Sequence, residues 1–195
     1  SHHGVFDLSY LRMIPNLVIG APSDATELCA MIETAVDHDG PIALRYPKGG
    51  ATSVPALPVE PIPVGEAELV SEGGDVLLVA LGRMAEVAEK AAADLSSRGV
   101  EAAVVNARWV KPLDPRIVEW AAPVPHVVTL EDGVVAGGFG SAVMEALAAA
   151  GMAKEVTRIG VPDRFLPHGS PSDIMESLGM DPDSVVERVL VALGR

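Results

Sequence analysis

Only one cysteine, Cys29, occurs among the 195 residues. It cannot close an internal disulfide and lacks partners for a thiolate metal site, so a reducing, cytoplasmic compartment is expected. Flanked by Leu28, Ala30 and Met31, Cys29 reads as a small core residue rather than a nucleophile. Basic residues are scarce too: 14 Lys and Arg stand against 27 Asp and Glu, a formal net charge of −13. That surplus repels a phosphate backbone, which excludes nucleic acid as a general partner and leaves any anionic ligand to local cations. Long apolar runs are missing. The stretch from Val76 to Leu81 falls far short of the roughly 20 residues a membrane span requires, and no signal peptide opens the chain. Neither a repeat of fixed period nor a GxGxxG or P-loop pattern is present, and no Ser/His/Asp or Cys/His set can be assembled.

What is there is a globular composition, 49% apolar, enough to bury a core. Leu17 to Ala21 is a short apolar run ending at Pro22. Ser23 and Asp24 then offer an N-cap, and Leu28, Met31, Ile32 and Ala35 recur at helical spacing. His38, Asp39 and Gly40 stop that helix, and Pro41 to Tyr46 resumes an extended pattern, so the unit reads as βαβ with a parallel pair. Proline-rich residues 47 to 63 read as an interdomain linker.

Beyond it, strand and helix signals alternate. Asp75 to Leu81, Glu101 to Ala107, His126 to Leu130 and Glu155 to Val161 read as buried strands, and Glu66 to Val70 as a possible antiparallel edge strand. Helices are expected after Gly82, with Met84, Val87, Ala88, Ala91 and Leu95 on one face, after Pro112, from Gly140 to Ala150, and over 172–178 and 182–193. Apolar strands alternating with helices predict an α/β fold, a mainly parallel sheet flanked by helices.

Titratable groups cluster without helical period in one place, SHHGVFDLSYLRMIP, where Ser1 opens the chain inside the motif. A histidine there exchanges protons readily at neutral pH; a solvated terminus is the alternative. The pair His2 and His3 lacks a third ligand at credible spacing, so no metal site is expected. Arg45, Tyr46, Pro47, Lys48 and Gly49 end a parallel strand, where open α/β sheets place ligands, and two cations followed by glycine suit a phosphate or carboxylate; solvated charges at a strand end are the other reading. Gly137, Gly138 and Gly140 precede a helix and read as tight packing rather than an anion cradle. Glu131 and Asp132 read as solvated carboxylates at a strand end, with cleft lining as the alternative. His168 reads as a turn residue, and Trp109 and Trp120 as core or dimer anchors.

Taken together, HHGVFDLSYLRMIPNLVI, APSD, ALRYPKG, VKPLD, LEDG, GGFGSAV and GVPDRFLPHG, in that order from Ser1 to the end, resemble the 1-deoxy-D-xylulose 5-phosphate synthases. These are transketolase-like, thiamin diphosphate- and magnesium-dependent transferases of isoprenoid precursor biosynthesis. The resemblance implies the last third of such an enzyme: residues 1–48 finishing the pyrimidine-binding domain, 49–63 a linker, and 64–195 the transketolase C-terminal domain.

It further implies that pyruvate and D-glyceraldehyde 3-phosphate condense with loss of carbon dioxide, that His2 is catalytic, and that Arg45 and Lys48 jointly bind the acceptor phosphate. Lys48 stands where the family often has arginine, giving a point charge in place of a fork. His3 carries no implied role. The cofactor's main contacts are expected upstream of Ser1, so this chain alone is not expected to bind it tightly or to catalyse. A missing N-terminal segment and a second copy, as a homodimer, are the expected partners. A non-catalytic dimerisation or docking module, or another transketolase-like ketol transferase, are the competing readings.

Overall fold

The apolar run before Pro22 becomes a fully buried strand, β1 (Val18–Gly20), in the computed structural model, which describes residues 4–48 and 56–195. A short helix, α1 (Asp7–Leu11), precedes it. Asp24 caps α2 (Ala25–Asp37): its carboxylate accepts the backbone N–H of Glu27 at 2.8 Å, satisfying a donor that the helix start leaves without a partner. Asp24→Ala is therefore expected to cost about 1 kcal/mol, read as a lower urea midpoint; an unchanged midpoint would show that water caps α2 as well. β2 (Ile42–Leu44) runs parallel to β1, with Val18 opposite Ile42 and Gly20 opposite Leu44.

The larger sheet follows the alternation in the sequence. In chain order its elements are β3 (Glu68–Ser71), β4 (Val76–Ala80), α3 (Met84–Ser97) and β5 (Ala102–Asn106), followed after a short excursion by α4 (Arg116–Ala121), β7 (His126–Val134), α5 (Phe139–Ala149), β8 (Glu155–Val161), α6 (Pro171–Ser177) and α7 (Pro182–Ala192). The strand order is β3-β5-β4-β7-β8, and every pair is parallel except the edge pair β3 and β5. Successive residues of β4 go to opposite layers, as the two-residue period of a strand demands. Leu77, Val79 and Leu81 pack with α4, α5 and the β1 side chain Ile19, whereas Val76, Leu78 and Ala80 pack with α3 and α7. The fold is thus α/β, a mainly parallel sheet covered on both faces by helices.

Two features differ from the sequence reading. After Ala107 the chain does not pass straight to a helix: β6 (Trp109–Lys111) leaves the large sheet and pairs antiparallel with β1, giving a second sheet of order β2-β1-β6. Its cause is Trp109, fully buried with Val18 and Met31 and overlaid by Ile42, Leu44, Ile62 and Val64. Gly20 is the seat of the indole, for a Cβ there would lie 2.9 Å from the ring. Trp109 is a core anchor. The second difference is β7, which runs on past Leu130 to Val134 and carries Glu131 into the interior.

A buried polar knot ties the two sheets together. Glu27 accepts from Asn106 Nδ2 at 2.9 Å, Arg108 Nε at 2.5 Å and both the backbone N–H and hydroxyl of Ser23. Burial alone would raise its pKa, but these donors hold the carboxyl below its ordinary value, so it is charged and paired.

Candidate active site

Open α/β sheets gather ligands at the carboxyl ends of their parallel strands. Here that edge carries a cavity of about 620 Å³. The ends of three strands supply its polar lining: Arg45 follows β2, Arg83 follows β4, and Asp132 lies in β7. Lys48 lies three residues beyond Arg45, and the segment at Gly4 and Asp7 enters from the amino end. The loop after β8 brings His168, and α6 gives an apolar wall that includes Ile174 and Met175. Phe6 meets Phe165 edge to face at 5.9 Å, joining the amino-terminal segment to that loop.

The two sequence-predicted cations share this cavity but differ in state. Arg45 is fixed by its backbone N–H to Gly20 O at 2.9 Å, and its side chain is only 16% exposed. Its Nη1 pairs with the Asp132 carboxylate, Nη2 donates to the Asp132 carbonyl at 3.0 Å and to the Gly4 carbonyl at 3.3 Å, and Nε lies 3.5 Å from Asp7. Those contacts occupy the fork. Lys48 is exposed and carries no ion pair or side-chain hydrogen bond among the described residues. His2 and His3 lie outside the described residues; Gly4, two residues beyond His2, is on the cavity wall.

Glu131 is not a solvated strand-end carboxylate. It is fully buried and accepts the backbone N–H groups of Phe139 at 2.7 Å and Gly140 at 2.8 Å. The glycine stretch does present its backbone donors to a carboxyl group, and that group is this chain's own side chain. Packing demands glycine as well: a Cβ on Gly138 would fall 2.3 Å from Glu131 Oε2, and one on Gly140 would fall 2.5 Å from Thr129 Oγ1. Burial, only partly offset by the Gly140 and Phe139 donors, pushes the Glu131 carboxyl up to about 7. Asp132 is likewise not free, being half of the Arg45 pair.

The other side of the glycine stretch holds the histidine-bearing segment. Arg12 Nη1 donates to the carbonyls of Gly137 at 2.7 Å and Gly138 at 3.0 Å, and Nη2 reaches Glu145 at 2.6 Å. Ser9 Oγ donates to Ala136 O at 2.8 Å, and Val134 N–H to Val5 O at 2.7 Å. Sequence reasoning missed Arg12 and Arg83 altogether. For Arg83 the signal was available, because it lies just beyond a parallel strand, after Gly82 at φ +60°.

Residues 65–185 match the transketolase C-terminal domain, and residues 1–52 match the transketolase pyrimidine-binding domain. The chain belongs to the transketolase C-terminal domain family. It is 47% identical over all of its length to a 1-deoxy-D-xylulose-5-phosphate synthase of Symbiobacterium thermophilum, of which it covers 30%. It is 48% identical over 99% of its length to the enzyme of that name from Thermomicrobium roseum, of which it covers 31%. Among solved structures, a split-gene transketolase described as an inactive β4 tetramer superposes with a TM-score of 0.86 at 34% identity, covering 99% of this chain and 62% of that one. The chain thus spans about a third of the length of these curated relatives. No described helix is long and apolar enough to cross a membrane.

Proposed function

We propose that this chain is the C-terminal part of a 1-deoxy-D-xylulose 5-phosphate synthase, a transferase that condenses pyruvate with D-glyceraldehyde 3-phosphate and releases carbon dioxide in isoprenoid precursor formation. The observation that carries the reading is the near-complete coverage of the chain by enzymes of that name at 47–48% identity. The cavity supports it, since the segment following His2 and the strand end bearing Arg45 and Lys48 meet there. In this reading residues 1–48 finish the pyrimidine-binding domain, 49–63 connect, and 64–195 form the C-terminal domain. His2 moves a proton at the substrate, and Lys48 draws the acceptor phosphate, with Arg45 beside it.

Thiamin diphosphate supplies the carbon nucleophile in such enzymes. In this reading the described residues form one side of its site. None of them forms a cluster of three His, Cys, Asp or Glu able to hold a divalent ion. The two buried glutamates, Glu27 and Glu131, are both taken up by the chain's own donors. In this reading cofactor and magnesium take their main ligands from further polypeptide, in the same protein or a partner copy; assembly as a homodimer in the cytoplasm belongs to the same proposal.

The test is an assay of the full-length enzyme with pyruvate labelled at the carboxyl carbon. Carbon dioxide release that depends on D-glyceraldehyde 3-phosphate and matches product formation is expected. Transfer of a two-carbon ketol unit with no carbon dioxide would overturn the reading in favour of a ketol transferase. Calorimetry of this chain alone with thiamin diphosphate and magnesium is expected to show no tight binding; a tight complex would contradict the shared site.

A further inference from the structure

Arg45, Lys48, Arg83 and the imidazole of His168 line the cavity, and they are not equivalent. Arg45 spends its guanidinium on Asp132, Asp7 and the Gly4 carbonyl, and those are the carboxylates on the wall. Lys48, Arg83 and His168 come from three separate segments: the stretch after β2, the turn after β4 and the loop after β8. None of the three has an ion pair or side-chain hydrogen bond among the described residues. The lining also has an apolar share, with Val161, Ile174, Met175, Leu178 and Met180.

On a chain of net charge −13, two cations and an imidazole around one concave space, none with a side-chain partner among the described residues, stand out as a local site for an anion. A low-dielectric wall beside them strengthens their pull on an anion. With Arg45 offsetting one of the two carboxylates, Lys48 and Arg83 leave the lining with an excess of positive charge that suits a phosphate monoester, whose dianion offers several acceptor oxygens to donors from separate segments.

We propose that Arg83 and His168 complete, with Lys48, the subsite for the phosphate monoester of the acceptor substrate, and that Arg45 is a positioning residue that ties the Gly4 and Asp7 segment to Asp132. This rests on the functional reading above for the identity of the acceptor. The cationic subsite is therefore built by both halves of the chain. Removal of either half's contribution weakens phosphate recognition while the aldehyde end is still handled.

The experiment compares D-glyceraldehyde 3-phosphate with unphosphorylated D-glyceraldehyde as acceptor in the full-length, cofactor-loaded enzyme. Arg83→Ala combined with His168→Ala is expected to raise KM for the phosphorylated acceptor about ten- to a hundredfold, as loss of charge-assisted hydrogen bonds does. KM for D-glyceraldehyde stays as in the wild type. Arg83→Lys with His168→Gln, which keeps donors in place, is expected to fall between. Arg45→Lys should lower kcat with both acceptors alike, leaving their KM ratio unchanged.

Equal KM changes for the two acceptors in the double variant, or none, overturn the subsite. A change in the KM ratio in Arg45→Lys overturns its positioning role. A wild type that releases no carbon dioxide from pyruvate sinks the functional reading instead, and the subsite is then decided by calorimetry with inorganic phosphate. Weaker binding by the double variant supports it, and equal affinity overturns it. A double variant that fails to fold is replaced by the two single variants, judged by the same ratio.

Discussion

Glu131→Ala is expected to destabilise the protein by about 2–4 kcal/mol at pH 5 and by distinctly less at pH 8. The loss at pH 5 has two sources. The N–H groups of Phe139 and Gly140 are left in a dry site without an acceptor, and the volume of the side chain is emptied. The pH dependence comes from the carboxyl itself, whose folded-state pKa is raised from 4.5 to about 7 chiefly by burial.

Between those two values the folded chain keeps a proton that the unfolded chain has released, so it binds more protons, and stability falls as pH rises through the window. The full cost of the buried charge, roughly 3 kcal/mol, is borne above pH 7. Alanine has nothing to titrate, so the variant lacks this slope, and the gap between the two proteins narrows on the alkaline side. Urea denaturation of both at pH 5 and pH 8 measures it. A gap independent of pH would show that Glu131 is ionised in the folded state throughout. Activity should suffer along with stability, because the carbonyls of Gly137 and Gly138 that hold Arg12 belong to the loop that Glu131 organises.

His2→Ala has the opposite signature. In the full-length enzyme it is expected to lower turnover by about 10²- to 10⁴-fold, the usual worth of a positioned proton donor or acceptor, and to shift stability by less than about 0.5 kcal/mol. The segment that follows it is anchored without it. Gly4 forms part of the cavity wall and its carbonyl accepts from Arg45, while Val5, Ser9 and Arg12 are bonded to the strand and loop at 134–138. The anchored stretch from Gly4 onward is held by contacts that do not involve His2, so the substitution removes none of them. Steady-state kinetics and a thermal melt of the same preparation decide the matter. Parallel losses of turnover and stability would make His2 a structural residue.

Much of this was legible in the sequence where period and burial agree. The apolar run at 76–81 becomes the fully buried β4, and the spacing of Met84, Ala88, Ala91 and Leu95 places them all in the core under α3; Glu155 to Val161 becomes β8, an edge strand in which only Ile159 and Val161 are buried. β6 was illegible because three residues show no period, and because its reason for existing is a Trp109 seat built by Gly20 and Met31, far away in the chain.

Glu131 misled for a related reason. LEDG looks like a solvated strand end, and the donors that hold its carboxyl group sit eight and nine residues on, beyond a loop. RYPKG gave two cations of equal standing, but the carboxylate that claims Arg45 is 87 residues distant. Local patterns reveal which groups are present. Which of them are already spoken for depends on contacts that only the tertiary fold creates.

The crossing of β6 into the smaller sheet also bears on how the polypeptide emerges from the ribosome. β1 and β2 are made early, yet the strand that borders β1 leaves the exit tunnel only after β3, β4 and β5 have been synthesised. Until then the nascent chain shows an open edge and a vacant hollow where the indole belongs, both invitations to wrong pairing. Dividing the gene within the proline-rich stretch would make two pieces, each lacking a wall that only the other can provide.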